Sequence, residues 1–165
     1  MRHPVLFGEY ELNIDDKNRL LIPSEVRSRI NPAEDGEALF LVMGIDRRPW
    51  LYPERYYEQL VTRQPGDITP AQDLHAFDQM HFALASRLEP DKQGRVLLPD
   101  KILKRAALQK EVTLIGVRDH LELWNRAEWE ARREELERRG PEIAFAAKRV
   151  REAERPAEPE ESAHK

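Results

Sequence analysis

Two lysines and two arginines at matched places are the side chains of this 165-residue chain with the clearest chemistry. Lys17 and Arg19 lie in Asp15-Asp16-Lys17-Asn18-Arg19, and Lys92 and Arg95 in Asp91-Lys92-Gln93-Gly94-Arg95. A guanidinium can grip a phosphate, or read guanine through O6 and N7 with two parallel hydrogen bonds. A lysine two residues or so away adds a compact point charge in the same place. The aspartate that opens each run faces phosphate poorly. It is suited instead to accepting turn amides or to fixing the arginine's rotamer. Asp15 and Asp91 are therefore expected to act as scaffold. Asn18 and Gly94 join them, since both residue types tolerate the positive φ of a tight turn.

These side chains must be held by a unit that the chain builds twice. Each motif continues into three aliphatics and a proline, Leu20-Leu21-Ile22-Pro23 and Val96-Leu97-Leu98-Pro99, at an offset of 76 residues. Downstream, Leu41-Val42-Met43-Gly44-Ile45 matches Thr113-Leu114-Ile115-Gly116-Val117 at an offset of 72, so the first copy carries four extra residues in the 31–37 loop. Alternation over 9–14 predicts a half-buried strand, with Tyr10, Leu12 and Ile14 on one side. The 15–18 turn and a return strand over 19–22 then put the first motif at a hairpin tip. A short helix over 24–30, strands over 38–43 and 50–52, and a helix over 54–63 complete the unit. The second unit repeats this order: strands over 83–88 and 95–98, a helix over 99–107, strands over 111–116 and 120–124, then a helix. Asn125 and Glu128 have the spacing of a capping box for that helix, and Gly140-Pro141 is a strong stop for it. Between the units, Thr69-Pro70 has the form of a helix start, and Leu74, Phe77, His81 and Leu84 follow at helical spacing. Two copies are too few for a solenoid, so an internal pseudo-dimer is expected.

The paired Asp-x-x-x-Arg motifs, Gly8-Glu9-Tyr10 before them, and the Leu123-Trp124 strand running into a helix resemble the MraZ family over about 7–132. The resemblance implies a β-rich α+β fold: two AbrB-like swapped-hairpin repeats (AbrB/SpoVT superfamily) forming a pseudo-dimeric β-barrel with peripheral helices. The expected divisions are repeat 1 over 7–64, a linking helix over 65–82, repeat 2 with its helix over 83–140, and a charged, disordered tail over 141–165. It further implies a transcriptional regulator of division and cell-wall genes, a ring-shaped homo-oligomer that binds short repeated sites in double-stranded DNA, cytoplasmic and nucleoid-associated. On that reading Lys17, Arg19, Lys92 and Arg95 contact DNA. The first motif departs from the usual family form at Asn18, where glycine is common, and Asp16 adds a negative charge there. The second motif therefore ranks above the first.

Composition bounds the alternatives. The formal net charge of -4 opposes a protein that coats nucleic acid indiscriminately. Locally the balance reverses, with six basic against three acidic residues over 87–105, and four against three over 15–29. Linking many such faces in a ring would raise their effective concentration. There are no cysteines, hence no disulfides or thiolate metal sites, and no apolar run long enough to span a membrane. The five histidines lack metal-motif spacing, and no serine stands in a nucleophile elbow. No enzyme, cofactor, metal or small-molecule substrate is expected. The aromatics Tyr52, Tyr56, Tyr57, Trp124 and Trp129 are expected to pack rather than to stack on bases. The rival from another class is a partner-binding assembly module that does not bind DNA.

Overall fold

A computed structural model describes residues 1–155. Two units are distinguished, residues 1–129 and those from Glu130 onward. The first contains β1 (Glu9–Asn13), β2 (Arg19–Leu21), α1 (Ser24–Arg27), α2 (Pro32–Asp35), β3 (Leu39–Met43), β4 (Pro49–Pro53), α3 (Glu54–Thr62) and α4 (Gln72–Leu84). It continues with β5 (Ser86–Leu88), β6 (Arg95–Leu97), α5 (Asp100–Arg105), β7 (Glu111–Gly116), β8 (Leu121–Asn125) and the start of α6 (Arg126–Arg138).

The two repeats exchange strands. The large sheet has the order β1-β7-β8-β4-β3-β5, which reads the same from either end once each element is replaced by its repeat mate. The β3–β4 and β7–β8 hairpins meet through Trp50–Glu122 and Leu51–Leu121. On the outside, β1 of the first repeat pairs with β7 of the second, and β5 of the second pairs with β3 of the first. A second sheet contains only β2 and β6, antiparallel, with Arg19 opposite Leu97 and Leu21 opposite Arg95. The hairpin expected of β1 and β2 is thus corrected. The 15–18 turn does reverse the chain, but the strand leaving it pairs with its counterpart from the other repeat. Among the described residues every pairing is antiparallel and the sheet is open, with β1 and β5 at its edges, so a closed barrel is not confirmed.

The core follows the repeat. Leu20 and Val96, Ile22 and Leu98, and Val26 and Ile102 are mates at the offset of 76, and each is at most 1% exposed. The aliphatic triplet of each motif therefore alternates inward and outward, its proline ends the ladder, and the following helical turn drops one more aliphatic into the same core. Because β2 and β6 lie side by side, the two repeats share one hydrophobic cluster. Burial of that shared surface, rather than any local hairpin, is what favours strand exchange.

Several local expectations are corrected. The 31–37 insertion contains a one-turn helix, α2, capped by Asn31, whose side-chain oxygen accepts from Ala33 N–H at 3.1 Å. Thr69 does not cap the linking helix: α4 starts at Gln72, and Thr69 instead donates its N–H to Asp67 Oδ1 at 2.9 Å. Asn125 does not cap α6 by a box, because its amide is used in tertiary bonds, accepting from Gln109 N–H at 2.7 Å and donating to Ala107 O at 3.0 Å.

In the second unit, α6 ends at Arg138 as the Gly140-Pro141 stop requires, but a further helix, α7 (Gly140–Ala153), follows at once with proline in its first turn. Proline ends one helix and is preorganised to open the next. This corrects the expected disorder from 141 onward; residues 156–165 of the expected tail lie outside the described residues. Arg139 pairs with Glu135 at 3.3 Å and Glu142 at 3.2 Å across the break.

Candidate nucleic-acid interface

The Asp-x-x-x-Arg spacing closes a small, self-sufficient turn. In the first copy Asp15 Oδ1 accepts the N–H groups of Lys17 and Arg19, both at 2.9 Å, and Oδ2 accepts Arg19 Nε–H at 2.7 Å. In the second, Asp91 Oδ1 accepts from Gln93 N–H at 2.9 Å and Arg95 N–H at 3.0 Å, and Oδ2 from Arg95 Nε–H at 2.8 Å. One carboxylate thus shapes the turn and holds the arginine, which explains why the acid must precede the arginine by four residues. The amide of Arg19 or Arg95, with the guanidinium and the turn's other amide, holds each carboxyl below its ordinary range. Both carboxylates therefore stay ionised through the neutral range.

This clamp uses only Nε of each arginine. The two terminal amino groups of Arg19 and Arg95 have no hydrogen-bond partner within the turn and project from a fixed stem. They are the fork that a bidentate acceptor pair requires.

The β2–β6 register places both forks on one surface. Residues opposite each other in an antiparallel pair share a face, as do residues two apart. Arg19, Leu21, Arg95 and Leu97 therefore occupy one face, and Leu20 and Val96 the other, buried one. Arg19 and Arg95 sit diagonally, about 7–8 Å apart by general sheet geometry. Ile22 N–H donates to Gly94 O at 3.0 Å and Leu98 N–H to Asn18 O at 2.8 Å, so each turn is also tied to the other strand. Lys17 and Lys92 lie within the turns at opposite ends of this ribbon. The structure thus brings all four cations to one two-stranded element.

The two turns differ in ways that sequence reading missed. Asn18 has φ 60 and Gly94 φ 83. A Cβ on Gly94 would lie 2.5 Å from Nε and 2.6 Å from Cζ of Arg27, whose guanidinium covers the turn while Nε–H donates to Ile22 O at 3.0 Å. At the offset of 76 the mate of Arg27 is Leu103, so no guanidinium is supplied from that place to cover Asn18. Glycine is thus favoured at 94, by its φ and by the place Arg27 takes over the turn, and asparagine is tolerated at 18. Gly94→Ala is expected to lower unfolding stability by about 1–2 kcal/mol from backbone strain alone, with Asn18→Gly far milder; urea denaturation of the two variants measures the difference.

Around the first turn, Lys110 Nζ pairs with Asp16 Oδ1 at 2.7 Å, partly offsetting the extra acid. Arg87, part of the local basic surplus, is held by Glu54 at 2.5 Å and by Glu89. The Lys110–Asp16 and Arg87–Glu54 pairs join residues distant in sequence, and nothing local announces them.

Away from the ribbon, His120 is 7% exposed and stacks on both Trp50 and Tyr52, at ring distances of 4.4 and 5.0 Å. Asp119 Oδ1 meets its Nδ1 at 2.8 Å and Glu122 Oε1 its Nε2 at 3.3 Å; Tyr56 O–H donates to Asp119 Oδ2 at 2.8 Å. Tyr56, Tyr57 and Trp124 are buried, and Tyr57 O–H lies 3.0 Å from His81 Nε2. The aromatics therefore pack, and this cluster is structural.

Comparison with known proteins places the repeat. A family model described as "MraZ protein, putative antitoxin-like" matches the chain twice, over residues 5–75 and 81–151. Among curated relatives, the Transcriptional regulator MraZ of Thermomicrobium roseum is 36% identical over 140 residues, 85% of this chain and 95% of that protein. The protein of the same name from Pediococcus pentosaceus is 34% identical over 143 residues, 85% of this chain and 94% of its own. That from Clostridium tetani is 33% identical over 126 residues, 76% of this chain and 85% of its own.

Proposed function

This chain belongs to the MraZ family, and from that premise we propose that it is a transcriptional regulator whose β2–β6 ribbon reads double-stranded DNA. The family is one of transcriptional regulators and not of enzymes. The observation that carries the ribbon reading is the shared face: two arginines, each clamped by its own aspartate through Nε, stand on the same side of the ribbon. A two-stranded ribbon is slim enough for the major groove, where O6 and N7 of guanine accept such a fork. Lys17 and Lys92, at the turns, supply phosphate contacts that set position rather than sequence. Asp15, Asn18, Asp91 and Gly94 hold the turns in shape.

The finer reading follows the resemblance. Two AbrB-like repeats, over about 7–64 and 83–140 and joined by the linking helix, assemble with further copies into a ring that engages short repeated sites upstream of division and cell-wall genes. A ring offsets the acidity of a single subunit by multiplying a weak contact. Such a protein works in the cytoplasm, on the nucleoid; among the described residues no helix is long and apolar enough to cross a membrane. A second reading, a partner-binding module without DNA, is favoured by one observation: Leu74, Phe77 and Met80 stand about half exposed or more on α4.

Selection from a random duplex pool distinguishes the two. The DNA reading expects a short guanine-containing sequence to be enriched by the wild type and not by Arg95→Ala. Enrichment of nothing by folded wild type would favour the partner module.

A further inference from the structure

Resting on that DNA reading, we propose that Leu21 and Leu97 are base-reading residues that pack against thymine C5-methyl groups, so the ribbon reads guanine and thymine together. The ribbon leaves these two leucines outside. Leu21 is 47% exposed and Leu97 62%, while their strand neighbours Leu20 and Val96 are fully buried. The register sets each leucine directly across from the other motif's arginine, Leu97 beside Arg19 and Leu21 beside Arg95. The outer face is therefore two arginine–leucine pairs related by the internal twofold.

A phosphate-gripping surface has no use for leucine, and neither side chain contributes to the core. A protein partner would have to cover two guanidinium groups to reach them. The major-groove edge of DNA fits the face as it stands. It offers paired acceptors on guanine and, at neighbouring steps, a single exposed methyl on thymine, which apolar side chains recognise. The two arginines supply the charge complementarity that brings the leucines to that edge. Because each leucine neighbours a clamped arginine, the methyl it meets lies within a step or two of the guanine that arginine reads.

The test uses the duplex that wild-type protein enriches from a random pool, synthesised with deoxyuridine in place of each thymidine in turn. That exchange removes only the methyl. At one or two positions near guanine, affinity is expected to fall about fourfold, the effect of exposing one methyl-sized group. In Leu97→Ala or Leu21→Ala the same exchange should have no effect at the corresponding position. Thermal unfolding of both variants should match wild type, since both side chains are exposed. Uridine duplexes that all bind as well as the parent, an enriched sequence without thymine near guanine, or a uridine penalty that persists in both leucine variants would overturn the proposal while leaving the DNA reading in place. Failure of wild type to enrich any sequence removes both.

Discussion

Arg19→Ala combined with Arg95→Ala is expected to weaken selective DNA binding by on the order of 10²- to 10⁴-fold, since each bidentate arginine–guanine pair contributes a substantial discrimination. The fold should survive. Both arginines are partly exposed, and their ion pairs with Asp15 and Asp91 sit at the surface, where such pairs contribute little to stability. Lysine in place of arginine is expected to rescue poorly. It keeps the charge but has neither the Nε that Asp15 or Asp91 holds nor the remaining two-pronged fork. Binding by fluorescence anisotropy, with circular dichroism to confirm folding, measures the loss. A double variant that still discriminates the enriched duplex from a scrambled one would move the reading surface off the ribbon.

The largest expected effect on stability lies elsewhere, at His120. Its ring is buried against Trp50 and Tyr52, and a carboxylate faces each nitrogen. Burial alone would push the imidazole down, but Glu122 and Asp119 on its two nitrogens outweigh it and hold it above its ordinary value. Asp119 and Glu122 are correspondingly held low against their own burial, each by the His120 bond first, with Tyr56 assisting Asp119 and Trp124 assisting Glu122. His120→Ala removes the ring that bonds both carboxylates in a largely buried site and leaves Asp119 with Tyr56 and Glu122 with Trp124 as hydrogen-bond partners, a loss of about 3 kcal/mol. For a domain of this size the midpoint of thermal unfolding should fall by roughly 10 °C.

The pH dependence separates charge from packing. A histidine raised in the folded state contributes stability that is fully present below its unfolded value, near 6.5, and lost as pH rises through the higher folded value. The two carboxylates, lowered in the folded state, contribute above their unfolded values and lose that contribution in acid. Wild type should therefore weaken as pH rises above about 6.5 by a component that His120→Gln lacks. Chemical denaturation across pH for the two proteins tests this. Parallel profiles would show that the imidazole is neutral and the cluster held by stacking.

Where local chemistry determines structure, the sequence is informative. The clamp of Asp15 on Arg19, and of Asp91 on Arg95, spans four residues and is readable from residue type and spacing. So is the alternation that buries Leu20 and Val96. Strand exchange is not readable in this way, because a turn such as 15–18 is identical whether the next strand pairs with its neighbour or with one from the other repeat. The choice is made by the shared core, which only the assembled chain contains. Asn125 illustrates the same limit: its spacing to Glu128 fits a cap, yet Ala107 and Gln109 claim its amide. Gly140-Pro141 is ambiguous in a different way, since one dipeptide serves as both stop and start. Arg27 at Gly94 joins the helix of one repeat to the turn of the other, and its trace in sequence is only that glycine stands at one motif and asparagine at the other.

The most direct measurement of the central claim is a salt titration of the enriched duplex by wild type, Lys92→Ala and Arg95→Ala. The ribbon account predicts that wild-type affinity falls steeply with salt, as neutralised phosphates release counterions. Lys92→Ala should reduce that slope by about one while retaining sequence preference, and Arg95→Ala should lose preference for the enriched sequence. Equal sequence preference in all three proteins, or no binding at low salt by protein that is folded, would contradict it.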